Sequence, residues 1–434
     1  MSEISRNQVR LAKALPELLL PAGSREKLEA ALTFGADAVY LAGERFGLRA
    51  AKASFNDDEL AEAIAFTHEQ GAKAYVTLNI IAHEEDLPFL PVYVRKLAEY
   101  SADAVIVSDP GVFATVRREA PGLEIHLSTQ ASTCNSASCN FWYALGVRRI
   151  VLARELSLEE IISIRREVPA DLELEAFVHG SMCMAYSGRC LLSNALTGRD
   201  ANRGECAQPC RWTWRLVHEN QTEHQLFIEE DDSGSLFFNS RDLCLVNHIP
   251  ELVRAGINSF KIEGRMKGSF YAAITAKVYR EAIDLYGEVG DAFRPDPMWQ
   301  EELDQLVHRS YDTGYYFARP REDAKIESDV SYHRVAAVCA RVITDASEGS
   351  LIACEQRNKL NLGETVDIIR PRGRNLSLTI SRILDESGSD IADTRHPTMP
   401  FSLLRADLEP GDRYEVIPAG SFIRRLGDKD KVGV

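Results

Sequence analysis

No stretch of eighteen or more apolar residues occurs in the sequence, so no segment is long and apolar enough to span a membrane as a helix. The N-terminal segment MSEISRNQVRLAKALPELLL lacks an apolar core followed by a small-residue cleavage site, and we expect no signal peptide. These absences predict a cytoplasmic protein without a membrane partner. Thiols stay reduced in the cytoplasm, so clustered cysteines there indicate metal binding or catalysis rather than disulfide bonds.

The motifs of common hydrolytic mechanisms are also missing. The sequence contains neither H-E-x-x-H, which would hold a catalytic zinc, nor G-x-S-x-G, which would present a nucleophilic serine. A cysteine nucleophile needs a nearby histidine base. His179 lies close to Cys183 in the sequence, but a cluster of four thiols is more than a nucleophile requires. The residues therefore provide no evident mechanism for a peptidase.

Basic residues are the minority, with 50 Lys and Arg against 65 Asp and Glu and a net charge of -15. An RNA partner would need a local basic patch to overcome this repulsion. One such patch contains Arg203 and Arg211 beside Trp212, and another is the RPRGR segment at residues 370–374. Arginine binds phosphates and aromatic rings stack on bases, as recognition of an RNA loop requires. The alternative is a solvated surface with tryptophans in the core.

Eight short apolar runs, most followed by a segment of helical periodicity, occupy the first two thirds of the chain. They cover residues 16–23, 34–43, 70–80, 100–110, 123–131, 145–155, 172–180 and 255–264. Strands that alternate with helices pair in parallel, and eight such units favour a TIM-type (β/α)8 barrel over a doubly wound sheet. Ser24 and Ser157 are expected to cap two of the helices, and a helix over 269–287 is expected to close the barrel.

The chain divides into a barrel domain at residues 1–320, a linker at 321–335 and a second domain at 336–434. An inserted cysteine-rich segment, residues 180–245 approximately, follows the seventh strand of the barrel. The second domain consists of short β-runs separated by turns such as NLGE and EPGD. This pattern of short strands and turns predicts a small antiparallel β-barrel.

Four of the nine cysteines fall in one window, at Cys183, Cys190, Cys206 and Cys210. Glycine, serine, arginine and asparagine separate them, which is typical of loops. An all-thiolate set suits an iron–sulfur cluster or zinc. The spacing favours the cluster, because zinc sites usually consist of closely spaced cysteine pairs and only the second pair resembles one. A set without a metal remains open. Outside this window and Cys244, packing roles are expected for Cys134, Cys139, Cys339 and Cys354.

Ligands bind TIM barrels at the carboxyl ends of the strands. Arg154 and Arg265 lie there, and both suit carboxylates because a guanidinium offers two parallel donors. An ion pair of Arg154 with Glu155 or Glu263 is the alternative. Further polar residues at these strand ends are Asn79, Asp109, Gln130 and His179. His179 is expected to point into the barrel mouth, where a catalytic and a structural role are both open.

Several segments resemble the signatures of the collagenase-like peptidase family U32. They are PELLLPAGSREKLEAALTFGADAVYLAGERFGLRA, ELEAFVHGSMCMAYSGRCLLSN, RGECAQPCRW and SFKIEGRMKGSFY. The resemblance covers nearly all of the barrel region, and the second domain resembles the C-terminal module of the family. Bacterial members that hydroxylate without oxygen hold a 4Fe–4S cluster. The resemblance therefore implies an RNA hydroxylase rather than a protease.

In this sequence the resemblance implies cluster ligands at Cys183, Cys190, Cys206 and Cys210, with Cys244 in reserve for Cys210. Zinc at the same thiols is the alternative. The implied reaction is 5-hydroxylation of wobble uridine in tRNA, with prephenate, a dicarboxylate, as co-substrate. A peptidase, hydroxylation of another RNA and a non-catalytic RNA-binding accessory remain alternatives. We predict catalytic roles for His179, Glu263, Arg265 and Arg154, and substrate contacts for Asn79, Gln130, Arg203 and Arg211.

Overall fold

A closed ring of parallel strands surrounded by helices forms the first part of the fold, and an antiparallel sheet forms the second. The computed structural model describes residues 15–47, 54–183, 186, 190–199, 201, 205–212, 241–317, 336–347, 350–404 and 416–426. The predicted linker, residues 321–335, lies outside this description, as do most residues of the predicted insertion.

The larger sheet is a barrel of eight parallel strands with a two-stranded extension. Its strands are β1 (Glu17–Pro21), β2 (Ala38–Leu41), β3 (Lys73–Leu78), β4 (Ala104–Val107), β5 (Glu124–Leu127), β6 (Arg149–Val151), β7 (Glu173–Ser181), β8 (Asp242–Cys244), β9 (Ser259–Ile262) and β10 (Tyr311–Asp312). Strands β1 to β7 pair in chain order, and β9 pairs with both β7 and β1 to close the ring. The predicted TIM-type barrel is confirmed.

Helices follow most of the strands and cover the outside of the barrel. They are α1 (Arg25–Thr33), α2 (Asp57–Glu69), α3 (Leu90–Glu99), α4 (Pro110–Glu119), α5 (Ser136–Ala144), α6 (Leu158–Glu167), α7 (Leu192–Thr197), α8 (Ile249–Arg254), α9 (Ser269–Val289) and α10 (Pro297–Asp304). Ser24 and Ser157 cap α1 and α6 as predicted, and Ser157 forms a full capping box with Glu160. None of these helices has the length and apolarity needed to cross a bilayer.

Strands β8 and β10 extend the sheet beyond the barrel, and the sequence does not predict them. Strand β8 runs antiparallel to the end of β7, and β10 pairs in parallel with β8. A buried ion pair anchors this extension, because the Arg309 guanidinium donates to the Asp242 carboxylate at 2.6 Å. The inserted segment therefore returns to the sheet in the residues just before α8.

Alternation along the strands separates two apolar cores in the barrel domain. Leu18 and Leu20 of β1 face the helices and belong to the main core, whereas Leu19 faces inward. The inner cluster contains Leu19, Ala38, Tyr40, Tyr75, Ala104 and Ile106. At the inward-facing positions of β6, β7 and β9, charged side chains replace apolar ones. The centre of the barrel is therefore only partly apolar.

The second domain is an antiparallel sheet of eight strands. They are β11 (Ala336–Val342), β12 (Leu351–Gln356), β13 (Thr365–Ile369), β14 (Leu376–Thr379), β15 (Ile383–Leu384), β16 (Asp390–Ile391), β17 (Pro400–Leu404) and β18 (Phe422–Leu426). Within the described residues its edge strands β14 and β16 do not pair with each other, so the predicted β-barrel is a half-barrel. Cys339 and Cys354 are fully buried in its core, as predicted.

The two domains share a buried interface formed by α9, α10 and the antiparallel sheet. The Arg424 guanidinium donates to both carboxylate oxygens of Glu302, at 2.6 and 2.7 Å. Nearby, the Lys277 ammonium donates to the carbonyl oxygens of Arg370 and Gly373. The backbone of the RPRGR segment is therefore partly used in docking the domains, although Arg372 remains exposed.

Candidate active site at the barrel mouth

Arg154 links the end of β6 to the first cysteine of the predicted ligand set. Its guanidinium donates to the Ser181 carbonyl at 2.8 Å and lies 3.8 Å from the Cys183 sulfur. It also stacks over the Phe177 ring at 4.6 Å. The neighbouring Glu155 carboxyl has a raised pKa, because burial outweighs the opposing charge of Arg154. Arg154 therefore places a fixed positive charge beside a thiol at the carboxyl ends of the strands.

The cysteine window lies in loops around the short helix α7. Cys183 and Cys206 are exposed, Cys190 and Cys210 are half-buried, and none of the four forms a disulfide bond. Ser193 of α7 connects the two cysteine pairs: its hydroxyl accepts from the Ala207 amide at 2.9 Å and donates to the Arg199 carbonyl at 2.8 Å. The sequence therefore brings the loop of the second pair against the helix that follows Cys190.

The chemistry of this donor set fits an iron–sulfur cluster or zinc. Four accessible thiols are present, the Gln208 amide donates to the Cys206 sulfur at 3.4 Å, and a guanidinium lies beside Cys183. Both contacts place a hydrogen-bond donor beside a cysteine sulfur, the atom that binds metal. Within the described part of the chain, no three histidine, cysteine or acidic side chains are grouped closely enough to hold a metal. The ligand set therefore remains a prediction based on donor type.

Cys244, the reserve ligand, occupies a different environment. It is buried on β8, its sulfur is 3.9 Å from the Gln300 carboxamide oxygen, and it pairs in register with His179. Burial raises its thiol pKa to about 12. Cys244 is thus more deeply buried than the exposed and half-buried thiols of the cysteine window, and the choice between Cys210 and Cys244 as the fourth donor stays a prediction.

His179 lies in a box of tyrosine rings rather than in the barrel mouth. Its ring centroid is 5.9, 5.6 and 5.3 Å from those of Tyr271, Tyr279 and Tyr311. The predicted orientation is wrong because the register of β7 against β9 shifts between Phe177 and His179, which turns the ring outward toward α9. Burial lowers its pKa to about 3, so the imidazole is neutral.

Arg265 and Glu263 follow β9 and lie on the same face of the barrel as Arg154. The buried Arg265 guanidinium donates to the Thr77 hydroxyl at 3.2 Å, while its carbonyl accepts from the Lys27 ammonium at 3.0 Å. Burial lowers the pKa of Lys27, and the charge of Arg265 lowers it further. Two cations are thus held close together with part of their hydration removed, which favours an anionic ligand there.

Glycine at position 180 allows the ends of β7 and β9 to meet. Gly180 has φ +106°, and a Cβ atom there would lie 2.4 Å from the Glu263 carbonyl oxygen. The Glu263 amide donates to the His179 carbonyl at 2.9 Å, and the Tyr271 hydroxyl donates to the Glu263 carbonyl. The backbone of Glu263 therefore locks the two strands together, and its half-buried side chain remains a predicted catalytic group.

The predicted substrate contacts fall into two groups. Asn79 is half-buried beyond β3, and Gln130 is buried in a turn after β5. Arg203 lies outside the described residues, and only the backbone of Arg211 is described, in a 3-10 turn beside the exposed Trp212. Asp109 caps α4 by accepting from two backbone amides, which gives it a structural role.

Family models identify both domains. The model of peptidase family U32 matches residues 23–326, and that of the U32 C-terminal domain matches residues 335–422. The chain belongs to peptidase family U32. The fold, with a TIM-type barrel followed by an antiparallel half-barrel, is therefore that of a two-domain family member.

Three curated relatives indicate how broadly this family member resembles RNA-modifying proteins. The tRNA hydroxylation protein P1 of Bacillus subtilis (strain 168) is 39% identical over 391 residues, covering 90% of this chain and 92% of that protein. The tRNA hydroxylation protein P of Escherichia coli (strain K12) is 35% identical over 445 residues, covering 92% and 93%. A 23S rRNA 5-hydroxycytidine synthase of the same strain is 37% identical over 284 residues, covering 64% and 41%.

Proposed function

We propose that this U32 family member is an enzyme that hydroxylates tRNA in the cytoplasm, forming 5-hydroxyuridine at the wobble position without molecular oxygen. The observation that carries the proposal is similarity over both domains, and over about nine tenths of each chain, to two tRNA hydroxylation proteins. The similarity to an rRNA 5-hydroxycytidine synthase covers 64% of this chain and supports C5 of a pyrimidine as the reacting atom. Hydroxylation of another RNA is the competing assignment.

A 4Fe–4S cluster at Cys183, Cys190, Cys206 and Cys210 would supply one-electron chemistry when bound. The protein itself would contribute a positive charge beside the cluster and a fixed loop that presents two of the cysteines. The Arg154 guanidinium lies 3.8 Å from the Cys183 sulfur and adds positive charge beside the predicted cluster. The hydrogen bond from the Ala207 amide to the Ser193 hydroxyl helps to fix the loop between Cys206 and Cys210.

Prephenate carries two carboxylates, and the buried arginines are suited to bind them. Arg154 and Arg265 follow β6 and β9, which both pair with β7, so their guanidinium groups belong to the same rim of the barrel. Hydrogen bonds to the Ser181 carbonyl and the Thr77 hydroxyl help to fix Arg154 and Arg265 respectively. Guanidinium groups with fixed positions bind carboxylates with little loss of side-chain entropy.

The same geometry gives little support to peptidase activity. A cysteine protease needs an imidazole that exchanges protons with the nucleophile. His179 is 1% exposed, enclosed by three tyrosines and held neutral with a pKa of about 3. It is therefore a poor general base for Cys183, and the hydroxylase proposal needs no such pair.

Anaerobic purification followed by iron and sulfide analysis tests the cluster. We expect about four of each per chain. Cys183→Ser and Cys210→Ser should lose the iron, whereas the matched control Cys134→Ser, outside the cysteine window, should keep it. Loss of iron in Cys244→Ser but not in Cys210→Ser would reassign the fourth ligand. Stoichiometric zinc in place of iron would support the alternative metal.

Mass spectrometry of tRNA nucleosides tests the reaction. A strain lacking this gene should lose 5-hydroxyuridine, and the wild-type gene should restore it while Cys183→Ser should not. Repeating the analysis in a strain unable to make prephenate should also abolish the nucleoside. Unchanged 5-hydroxyuridine in the deletion strain contradicts the proposal, and loss of a hydroxylated rRNA nucleoside instead would favour the competing substrate.

A further inference from the structure

Unpaired polar atoms are concentrated in one turn at the carboxyl end of β5. Thirteen buried side-chain nitrogen and oxygen atoms of the described residues have no hydrogen-bond partner. Four of them belong to residues 130–133: both amide atoms of Gln130 and the hydroxyls of Ser132 and Thr133. Gln130 is 5% exposed and Thr133 is 2% exposed. No other segment of similar length in the described part of the chain has as many.

The backbone holds this turn rigidly at the barrel rim. The Thr129 hydroxyl donates to the Leu152 carbonyl at 3.1 Å, and the Ala153 amide donates to the Thr133 carbonyl at 3.1 Å. Both contacts are to the segment that joins β6 to Arg154. Ser132 has φ +53°, a left-handed conformation uncommon for serine. The turn is therefore strained and fixed next to the predicted active site.

Burying an amide without partners is expensive unless a ligand completes its hydrogen bonds. A buried donor or acceptor without a partner loses its hydrogen bonds to water and gains none in the fold. Several unpaired polar atoms in one turn, at the rim where barrels bind ligands, indicate a binding surface. Its hydrogen bonds are completed only when a ligand is bound. The ligand must supply an acceptor for Gln130 Nε2 and a donor for Gln130 Oε1.

A base edge satisfies this requirement and a carboxylate does not. A carboxylate only accepts hydrogen bonds, so it would leave Gln130 Oε1 unpaired and repelled. Uracil presents the N3–H donor next to the O4 acceptor. Cytosine presents the reverse pair, which the same carboxamide can bind after rotating by 180°. Contact at the Watson–Crick edge also leaves the C5 edge of the pyrimidine free to react.

We propose that Gln130 is the residue that reads the Watson–Crick edge of the target pyrimidine, with its amide oxygen accepting N3–H and its amide nitrogen donating to O4. The hydroxyls of Ser132 and Thr133 complete the polar lining of this base site. This inference rests on the proposed tRNA hydroxylation and adds the group that binds and orients the pyrimidine. A base inserted at this depth must leave the stack of the anticodon loop.

The test measures binding of anticodon stem-loops to the anaerobically purified protein by fluorescence anisotropy. One stem-loop carries uridine at the wobble position, and its matched partner carries 3-methyluridine, which lacks the N3–H donor. Wild type should bind the uridine stem-loop about 10- to 100-fold more tightly than the 3-methyluridine one. Gln130→Met, which keeps the shape but removes the amide, should bind both weakly and equally. Gln305→Met, a control on the outer helices, should behave like wild type.

Stability of the free protein separates a ligand-binding role from a structural one. A glutamine that supports the fold would destabilise the protein when replaced, whereas an unpaired buried amide should give an equal or higher melting temperature as methionine. Equal wild-type affinity for both stem-loops would overturn the inference while leaving the proposed function intact. A Gln130→Met variant that loses affinity for prephenate but not for RNA would also overturn it. Failure of wild type to bind any stem-loop would overturn both proposals.

Discussion

Individual charged residues stabilise the centre of the barrel as an ion network. The Glu175 carboxylate accepts from the Lys261 ammonium at 2.6 Å and from the Arg149 guanidinium at 3.2 Å, and Arg149 also pairs with Glu17. Burial acts to raise the pKa of Glu175, but Lys261 and Arg149 outweigh it and the pKa is lowered. The Glu175 carboxylate therefore remains charged although it is fully buried.

Replacing Glu175 with glutamine should destabilise the protein strongly. The change leaves two buried cations without their shared anion, and breaking such a pair costs about 3–5 kcal/mol. Glu173→Gln is the matched control, because Glu173 also binds Arg149 but its side chain is 44% exposed. We expect that control to cost about 1 kcal/mol or less. Urea unfolding measures both changes, and equal losses would contradict a role for burial.

The stability of the protein should also depend on pH through His179. The pKa of its imidazole is 6.5 in the unfolded chain and about 3 in the fold, chiefly because of burial. Above pH 6.5 the ring is neutral in both states and has no effect. As the pH falls from 6.5 toward 3, only the unfolded chain takes up the proton, so stability is lost by up to about 1.4 kcal/mol per pH unit.

His179→Gln should therefore flatten the fall in unfolding free energy between pH 6 and pH 4. Urea titrations of wild type and variant at several pH values measure the two slopes. The variant is expected to be less stable at neutral pH, because glutamine fills the tyrosine box poorly, but only the slope reports on the proton. Identical slopes would mean that the imidazole titrates normally in the fold.

For individual residues, the sequence predicts where a side chain lies along a strand better than it predicts which residues that side chain contacts. Arg154 and Arg265 lie at strand ends as expected, because a strand end follows from the length of an apolar run. Their partners, Ser181, Cys183 and Thr77, come from distant strands and depend on barrel closure. The interior ion network was missed, although charges at alternate positions within apolar runs, as in LELEAFVHG and SFKIEG, were a usable signal.

Helices of the barrel begin where the sequence predicts because their caps are local. The Ser157 hydroxyl accepts from the Glu160 amide, and the Glu160 carboxylate accepts from the Ser157 amide in return. Both residues lie within one turn of chain, so neither tertiary packing nor barrel closure is needed to form the motif. The same reasoning applies to Ser24 at the start of α1.

Ser157→Ala should destabilise the protein by about 1 kcal/mol, because the start of α6 loses its cap. Ser163→Ala is the matched control: it lies on the exposed face in the middle of the same helix, where alanine is the better helix former. We expect the control to be neutral or slightly stabilising. Thermal unfolding followed by circular dichroism compares the two, and a neutral Ser157→Ala would show that packing alone determines where α6 begins.

Strands were predicted well where they form the ring and poorly beyond it. Each of the eight apolar runs contains a barrel strand, since parallel strands covered by helices are apolar on at least one face. Strand β10 has only two residues and β8 has three, too few to show periodicity. Their pairing depends on the Arg309–Asp242 ion pair, which joins residues far apart in the sequence.

Across the whole molecule, several polar contacts help to dock the two domains, and the pair of Arg424 with Glu302 is one of them. Glu302→Ala removes the bidentate partner of Arg424 and should cost about 3 kcal/mol, although Asp367 still contacts that guanidinium at 3.2 Å. Glu301→Ala changes the exposed neighbour on α10 and serves as the control. Faster hydrogen exchange in β18 of the first variant alone would confirm this anchoring. Unchanged exchange would indicate that the apolar contacts of Phe422 suffice.

Ring closure between β1 and β9 also has a consequence for synthesis on the ribosome. The Glu17 carboxylate accepts from the Ser259 hydroxyl, and these two residues are 242 positions apart in the chain. At about 5–20 residues per second, the first strand waits roughly 12–48 s for its partner to be translated. During that interval the nascent chain exposes an unpaired strand edge and the cations of an unfinished ion network. We expect this barrel to close only after β9 has left the ribosome and to need chaperones until then.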